Sequence, residues 1–527
     1  LDYQHDAGVD WVGLFEDSMS KNDDNLKPPK AALILGLGET GEAAAHWLAR
    51  QGRRLVLVDT RLEPAGLATL RRALADSIEQ AHMGPSLPLA LLTEVDLLVL
   101  SPGLSPRSEP VKSYLEAAAN QGIEVIGEVE LFARALQDLA VERGYQPKVL
   151  GVTGTNGKTT VTALVRHMLI ASGLTARAAG NIGPAALTAL MQALDADDLP
   201  QAWVLELSSF QLHATSSLKL TAATILNIAQ DHLDWHGDLI SYQQAKARLF
   251  AQASIAIVNR DDPVVCAMVE SLDGWQVRSF GQSAPVYTHD LGLEVDHDVQ
   301  WLCSAEPVDF EQALPPVQRR RKQVPLLPRT AGRSTRLMPV EALPMTGRHN
   351  AMNVMAAALL VRCVGGGWAA ILKAATQYLG EPHRMQFVRT AQDIPFYNDS
   401  KGTNVAATVA GVQGLGQRVV LIAGGQSKGQ DFTDLAKALT LHGRAAVLIG
   451  EDAGLLKAAF EQMSVTVVIA DSMSDAVAAA FDLAQSGDAV VLSPACASFD
   501  MFDDYRQRGQ VYVEAVRSLA LSVGEVA

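Results

Sequence analysis

Two short stretches, GLGETG at 36–41 and GTNGKTT at 154–160, each follow an apolar run and each lead into helix-forming sequence. A strand that turns on glycine into a helix opens a βαβ unit, whose strands run parallel. A chain that opens twice in this way is constrained to mostly parallel sheets with helices on their faces. The later sequence keeps that alternation. LLVLSPG (97–103) reads as a buried strand, IEVIGEVELF (123–132) as a short strand running into a helix, and AWVLEL, AATILNI and ASIAIVN as further strands of a second unit. A third unit starts near PHRMQFV, with strands expected at VVLIAGG, AAVLIG, VTVVIA and DAVVLSP. Residues 281–340, rich in Pro, Asp and Arg, read as a long insertion or a small β excursion.

At 527 residues the chain exceeds what one core usually organises. The expected division is an N-terminal extension (1–29) and three α/β domains, 30–136, 137–380 and 381–527. No apolar run is long enough to span a membrane, although mean hydropathy is +0.10. The first thirty residues are acidic and lack the basic start, apolar centre and cleavage site of a secretion signal, so a cytoplasmic location is expected. Cys266, Cys303, Cys363 and Cys496 lie far apart, which argues for free thiols over a disulfide framework or zinc site. A net charge of −15 opposes nucleic-acid binding, and the basic run Arg319–Lys322 reads as a solvated loop. An anionic substrate must therefore be met by locally placed cations and backbone amides.

GLGETG fits the dinucleotide pattern, with Asp59 following at about the expected distance to bond a ribose or a base edge. An NAD-dependent oxidoreductase, another pyrophosphate nucleotide and a ligand-free tight turn all satisfy it. The second loop departs from the strict phosphate-loop pattern, because Val152 stands where the first glycine belongs. It still supplies Gly154, Thr155, Asn156 and Gly157 for a turn whose amides wrap phosphate oxygens. Lys158 neutralises the β- and γ-phosphates, Thr159 can ligate Mg²⁺, and Thr160 enters the helix. Glu206 emerges at the end of an apolar strand, where a carboxylate can hold a metal. Asp231 and His232 lie just past another strand; His232 reads either as a ligand of a second metal or as a satisfied loop histidine. Lys246, in YQQAKARLF, reads in isolation as a surface lysine laying its stem along a helix.

TGTNGKTT, GNIG, ELSSFQL, NIAQDHLDWHG, YQQAKARLF, GRHNAMN, PHR, NDSKGTN and LSPACASFD occur in the order found in the Mur ligases, the ATP-dependent enzymes that add amino acids to the peptidoglycan precursor. From about residue 30 to the C-terminus the chain resembles that family. The resemblance implies an α/β fold of three domains: Rossmann-like, P-loop ATPase-like, and Rossmann-like again, each an open, mostly parallel sheet with flanking helices. GLGETG, VDTR, SPG, GGQSKGQDF and LSPACASFD resemble the member that joins D-glutamate to UDP-N-acetylmuramoyl-L-alanine through an acyl phosphate, releasing ADP and phosphate. ATP and two Mg²⁺ ions are the implied cofactors, and a monomer is expected.

The resemblance also implies roles. Lys158, His232 and Lys246 are catalytic, Lys246 as a carbamylated lysine; Thr159, Glu206, His232 and modified Lys246 hold metal. Residues 154–160 bind ATP with Asn350, Asn353, Arg384 and Asp399. Glu39, Thr40, Asp59, Thr60, Arg61, Ser101, Gly103 and Asn181 meet the UDP substrate. Lys401, Thr403, Lys428, Ser498, Phe499 and Tyr505 meet D-glutamate, although Tyr505 stands where relatives often have phenylalanine. A related ligase with another acceptor, such as a folylpolyglutamate synthetase, is the nearest rival; the first domain argues against it. A regulatory nucleotide switch is the non-catalytic alternative.

Overall fold

The computed structural model describes residues 31–308, 328–345, 347–427 and 429–525. The extension at 1–29, the basic run at 319–322 and Lys428 therefore lie outside the described residues. The chain divides into two compact units, Leu1–Leu104 with Glu109–Ile126, and Ser105–Ser108 with Gly127–Ala527.

In the first unit, β1 (Ala31–Leu35), β2 (Leu55–Asp59), β3 (Ile78–Met83), β4 (Val95–Leu100) and β5 (Glu124–Ile126) form an all-parallel sheet in the order β3-β2-β1-β4-β5. Every residue of β1 and β2 is buried, as expected of strands covered on both faces. Strand order reverses at β1, so the crevice beyond the carboxyl ends of β1 and β4 is where such a sheet takes a ligand. Gly36 and Ser101 are the first residues beyond those two strands. Gly41 serves the packing of the following helix, Glu39–Arg50: a Cβ there would lie 2.0 Å from the Gly36 carbonyl oxygen.

The second unit holds two sheets. The first contains β6 (Lys148–Thr153), β7 (Ala176–Gly180), β8 (Ala202–Glu206), β9 (Ala222–Ile225), β10 (Ala256–Asn259), β11 (Val277–Phe280), β12 (Leu291–Asp296), β13 (Val299–Pro307) and β14 (Gly332–Pro339). Their order is β14-β13-β12-β11-β10-β9-β6-β8-β7, parallel from β7 through β12 and antiparallel across β12, β13 and β14. The stretch read as a long insertion or a small β excursion thus contributes β12–β14, a regular antiparallel edge. Strand β6, between β8 and β9, is the switch point. The helices Lys158–Ala171, Arg348–Cys363 and Trp368–Gln377 join this sheet in one apolar cluster. Ten of the 16 residues of Arg348–Cys363 are buried, which explains its near-continuous apolar sequence. Each fully buried Leu, Val or Met there contributes about 1.5–3 kcal/mol.

The other sheet, β15 (Gln386–Ala391), β16 (Ile394–Asn398), β17 (Val419–Gly424), β18 (Gly443–Ile449), β19 (Thr466–Ile469) and β20 (Ala489–Leu492), has the order β15-β16-β20-β17-β18-β19; only β15 is antiparallel.

The boundary expected at 136/137 falls inside the helix Glu128–Arg143, which belongs to the second unit. Polar and aromatic contacts tie that helix there. Glu128 accepts from the Leu187 amide, and Glu130 accepts from the Ser216 and Ser217 amides at 2.7 and 2.9 Å. Phe132 meets Trp203 edge to face at 5.4 Å.

Gly41→Ala should destabilise the protein by about 1–3 kcal/mol, because the new methyl meets backbone that cannot rotate away. Gly38→Ala, where a Cβ meets nothing within 4 Å, should cost less. Urea denaturation followed by circular dichroism compares the two.

Candidate active site

Strand β6 ends at Thr153, and the chain turns through Gly154 (φ +152°) and Gly157 (φ +83°) into the helix Lys158–Ala171. Val152 is a fully buried strand residue, so the missing first glycine falls before the turn begins. The unsatisfied amides of the helix N-terminus and the positive end of its dipole lie at this turn. The loop is braced from the segment after β9. The Thr155 amide donates to the Asn227 carbonyl at 3.0 Å, and the Asn156 amide to Asn227 Oδ1 at 2.8 Å. Thr155 Oγ1 accepts from the Ala229 amide at 2.9 Å and shares a hydrogen bond of 2.9 Å with the Tyr242 hydroxyl.

Two ammonium groups meet at this loop. Lys158 Nζ donates to the carbonyls of Gly154 and Thr155 at 2.9 and 2.8 Å. Lys246 Nζ donates to the same Gly154 carbonyl at 2.9 Å and to Thr153 Oγ1 at 3.2 Å. Lys246 is only 2% exposed, so reading it in isolation as a surface lysine is corrected. It lies on the inner face of the helix Leu239–Ala251, with Tyr242 one turn earlier and its Nζ 4.8 Å from that ring's centroid. Burial drives the Lys246 pKa well below the usual lysine range and Lys158 lowers it further, against the pull of Asp231 and Glu206. Burial likewise lowers Lys158, opposed by the same two carboxylates.

Glu206, at the end of β8, is 1% exposed. Its Oε1 accepts from Asn181 Nδ2 at 2.6 Å, while Oε2 is buried without a hydrogen-bond partner. Asn181, expected at the muramoyl group, thus orients this carboxylate. Thr159 Oγ1 accepts from Arg384 Nη2. One buried carboxylate oxygen and a hydroxyl are the hard oxygen donors that suit Mg²⁺, which takes few protein ligands beside phosphate and water. Among the described residues no cluster of three or more His, Cys, Asp or Glu forms a metal cage. The four cysteines are unbridged. His232 adopts a left-handed conformation (φ +53°), with Nε2 3.6 Å from Asp231 Oδ2 and its ring 4.7 Å from that of Phe210.

Residues just before β15 and just after β16 reach the same loop. Besides Arg384, Asn404 Nδ2 donates to Asn156 Oδ1 at 3.4 Å. Asn353 packs on the loop's second glycine, where a Cβ would fall 2.7 Å from its Oδ1, and donates to Asn350 Oδ1 at 3.3 Å. Asp399 accepts from Ser493 Oγ at 2.7 Å and from the Met385 amide at 3.2 Å, yet burial outweighs these donors and raises its pKa to about 6. Lys401 Nζ sits 4.1 Å from the centroid of Tyr505, and burial together with Arg384 and Lys158 lowers its pKa to about 8. The Thr403 amide donates to the Lys401 carbonyl at 2.8 Å. Ser498 is buried, whereas Phe499 is 66% exposed, so the structure does not gather these neighbours together.

In the first unit, the buried Asp59 carboxylate accepts from the Leu37 amide at 2.7 Å and from Arg61 Nε and Nη2 at 2.9 and 2.7 Å. Burial raises its pKa, but these hydrogen bonds prevail and hold it below the usual range. Asp59 thereby fixes the glycine loop to Arg61. Glu39 is exposed at the start of its helix, with Thr40 and Thr60 half-buried nearby in sequence. The Ser101 amide donates to the Leu35 carbonyl at 2.9 Å, and Gly103 is exposed.

Sequence reasoning passed over Asn227, Tyr242 and Ser493. Of these only Tyr242 carries a signal, the i, i+4 spacing to Lys246.

Comparison with known proteins bears on all three sheets. The chain matches the models of a Mur ligase MurD-like N-terminal domain over residues 30–127, a Mur ligase middle domain over 152–361 and a Mur ligase glutamate ligase domain over 383–496. It is 56% identical over 496 residues to a UDP-N-acetylmuramoylalanine--D-glutamate ligase of Bordetella avium, covering 94% of this chain and 97% of that one. Identity to the enzyme of that name from Ralstonia nicotianae is 47%, across 93% and 97% of the two chains. Among solved structures, a UDP-N-acetylmuramate-alanine ligase from Thermotoga maritima shares the fold, with a TM-score of 0.52 at 16% identity over 93% of this chain and 100% of that one.

The Asp399 pKa yields a stability prediction. Raised to about 6 from an ordinary 3.8, this carboxyl keeps its proton in the folded state after the unfolded chain has lost it. The folded state therefore loses stability as pH rises from about 4 to about 6, by roughly 3 kcal/mol in all. Asp399→Asn should remove that increment, so the difference in urea stability between variant and wild type should change across this window and level off above it.

Proposed function

Because this chain belongs to the Mur ligase family, we propose that it is the ATP-dependent ligase that joins D-glutamate to UDP-N-acetylmuramoyl-L-alanine in peptidoglycan precursor synthesis. Near-full-length identity to ligases of that name supports the substrates. The geometric observation that carries the chemistry is the pair of amines, Lys246 buried and Lys158 half-buried, at one carbonyl of a phosphate loop.

In this reading the amides of residues 154–160 and Lys158 hold the β- and γ-phosphates of ATP. Asn350 and Asn353 lie at the adenine and ribose, Asp399 at the ribose, and Arg384 at the phosphates. The first unit holds the uridine end through its Gly36–Gly41 loop, Asp59–Arg61 and Ser101–Gly103. The L-alanyl carboxylate attacks the γ-phosphorus, the bond to ADP breaks, and an acyl phosphate forms. The amine of D-glutamate, having lost its proton, attacks the acyl carbon, and the tetrahedral intermediate collapses by expelling phosphate. Lys401, Thr403, Lys428, Ser498, Phe499 and Tyr505 are the assigned contacts of the amino acid; lysines and hydroxyls suit its two carboxylates.

Magnesium held by Thr159 and Glu206, and a second ion held by His232 with carbamylated Lys246, would neutralise the anions that must approach one another. The lowered pKa of Lys246 supports its carbamylation, since a neutral amine is what adds to carbon dioxide.

Phosphate release with ATP, Mg²⁺ and UDP-N-acetylmuramoyl-L-alanine should occur with D-glutamate and stay at background with L-glutamate, meso-diaminopimelate or no amino acid. Lys158→Ala should lower kcat by about 10²–10³-fold, the usual cost of removing a preorganised partner of transition-state charge. Release with a different amino acid alone would move the acceptor, and release with none would end the ligase reading.

A further inference from the structure

Arg508 lies in the first turn of the helix Tyr505–Ser522, yet it is 1% exposed and among the largest fully buried side chains. Nothing in its sequence context, YRQRGQ, marks it. Its guanidinium makes five hydrogen bonds, all to two loops. Nε donates to Ser400 Oγ at 3.1 Å, and Nη2 to the Ser400 carbonyl at 2.9 Å. Nη2 and Nη1 both donate to the Cys496 carbonyl at 3.2 Å, and Nη1 to the Ala497 carbonyl at 3.3 Å. No carboxylate pairs with it among the described residues, and burial lowers its pKa only to about 10, so it stays charged at neutral pH. Asp500 and Asp399 favour its charge without touching it, but its direct acceptors are all neutral, and burying a cation in that way is costly. Such an arrangement needs a return beyond packing.

The two loops are those that carry the amino-acid contacts. Ser400 precedes Lys401, and Ala497 precedes Ser498. The first loop is held further from the same helix: Ser400 Oγ donates to the Tyr505 carbonyl at 2.7 Å, and Asn398 Nδ2 to the Gly509 carbonyl at 3.1 Å. Asn398 Oδ1 in turn accepts from the Ser400 amide at 3.1 Å, and the Lys401 amide donates to the His383 carbonyl at 3.1 Å. Arg508 bridges the Ser400 loop to the Cys496–Ala497 loop beside two shorter-range ties, the Ala495 amide donating to the Gly402 carbonyl at 2.8 Å and Ser493 Oγ to Asp399 at 2.7 Å, and it alone of the three reaches Cys496 and Ala497. A guanidinium suits this role because its five donors lie in one fixed plane and address several acceptors together; an ammonium is a point donor on a flexible stem.

We propose that Arg508 is a positioning residue for the amino-acid substrate: its guanidinium staples the loop bearing Lys401 and Thr403 to the loop bearing Ser498, setting the spacing between the two sides of that site. The inference rests on the reading of these loops as the D-glutamate site. Because the contacts run through backbone carbonyls, loss of the staple moves the loops without removing a substrate contact. Displacements of about 1 Å at such a site can cost on the order of 100-fold.

The test is steady-state kinetics of Arg508→Lys, Arg508→Gln and Ser400→Ala, with the KM for each of the three substrates and a thermal unfolding midpoint for each protein. The expected result is a KM for D-glutamate raised about tenfold in Arg508→Lys and more in Arg508→Gln, with the KM values for ATP and the UDP substrate within about twofold of wild type. Ser400→Ala, which breaks only the Nε bond and the Tyr505 tether, should raise the same KM by about threefold and decides the matter if the arginine variants do not fold. A D-glutamate-active wild type whose variants raise all three KM values together, or lower the unfolding midpoint with the D-glutamate KM unchanged, would overturn the positioning role alone. A wild type that releases no phosphate with D-glutamate would overturn the functional reading, and the positioning role with it.

Discussion

Lys158 and Lys246 both donate to the carbonyl oxygen of Gly154 at 2.9 Å, Lys158 half-buried and Lys246 buried. Two ammonium ions sharing one acceptor repel each other strongly where solvent cannot screen them. The protein meets this constraint in two ways. It places Glu206 and Asp231 close enough to favour the charged forms, and it lets the pKa of the more deeply affected amine, Lys246, fall furthest. The rest of the site follows from holding this loop still. Asn227 bonds its backbone from just beyond β9, Tyr242 grips Thr155 from the helix that carries Lys246, and β6 itself is locked between β8 and β9. The loop is therefore fixed by the same elements that deliver the charged groups around it.

Glu206 shows how the carboxylate is kept available. Asn181 occupies one oxygen and leaves the other buried and unbonded, an arrangement that would be expensive as packing alone. Arg384 and Asn404 then bring the last sheet onto the loop, at Thr159 and Asn156. Contacts with the phosphate loop thus come from residues beside two sheets of one unit, so this loop and the loops around Lys401 and Ser498 share a frame.

The strands and glycine turns were legible because buried parallel strands read as unbroken apolar runs and because a βα turn demands glycine at fixed places. The β12–β14 edge was legible only as one of two alternatives, a small β excursion beside a long insertion, since its exposed outer face leaves a mixed sequence; β14 is mostly solvent-facing. The boundary at 136/137 failed because the helix Glu128–Arg143 is claimed by Glu130 and Phe132 contacts to sequence more than 70 residues away. Resemblance supplied roles for Lys246 and Asn181, but the burial of Lys246 was hidden: a single lysine in an amphipathic stretch is nearly always at the surface. Arg508 was invisible for a further reason. Its acceptors are four main-chain or hydroxyl oxygens, and a carbonyl leaves no trace in a sequence.

Burial moves the site's ionisable groups toward neutrality from both directions. Lys158 and Lys246 are lowered, Lys401 falls to about 8 and Asp399 rises to about 6. These shifts are not independent, since Lys158 lowers both Lys246 and Lys401, and Arg384 lowers both Lys158 and Lys401. An anion brought among these cations favours their charged forms and relieves the repulsion that holds them down. The same linkage makes each anion easier to bind when the groups around it are already protonated. A frame that crowds cations in this way couples the protonation of Lys158 and Lys401 to the arrival of anions.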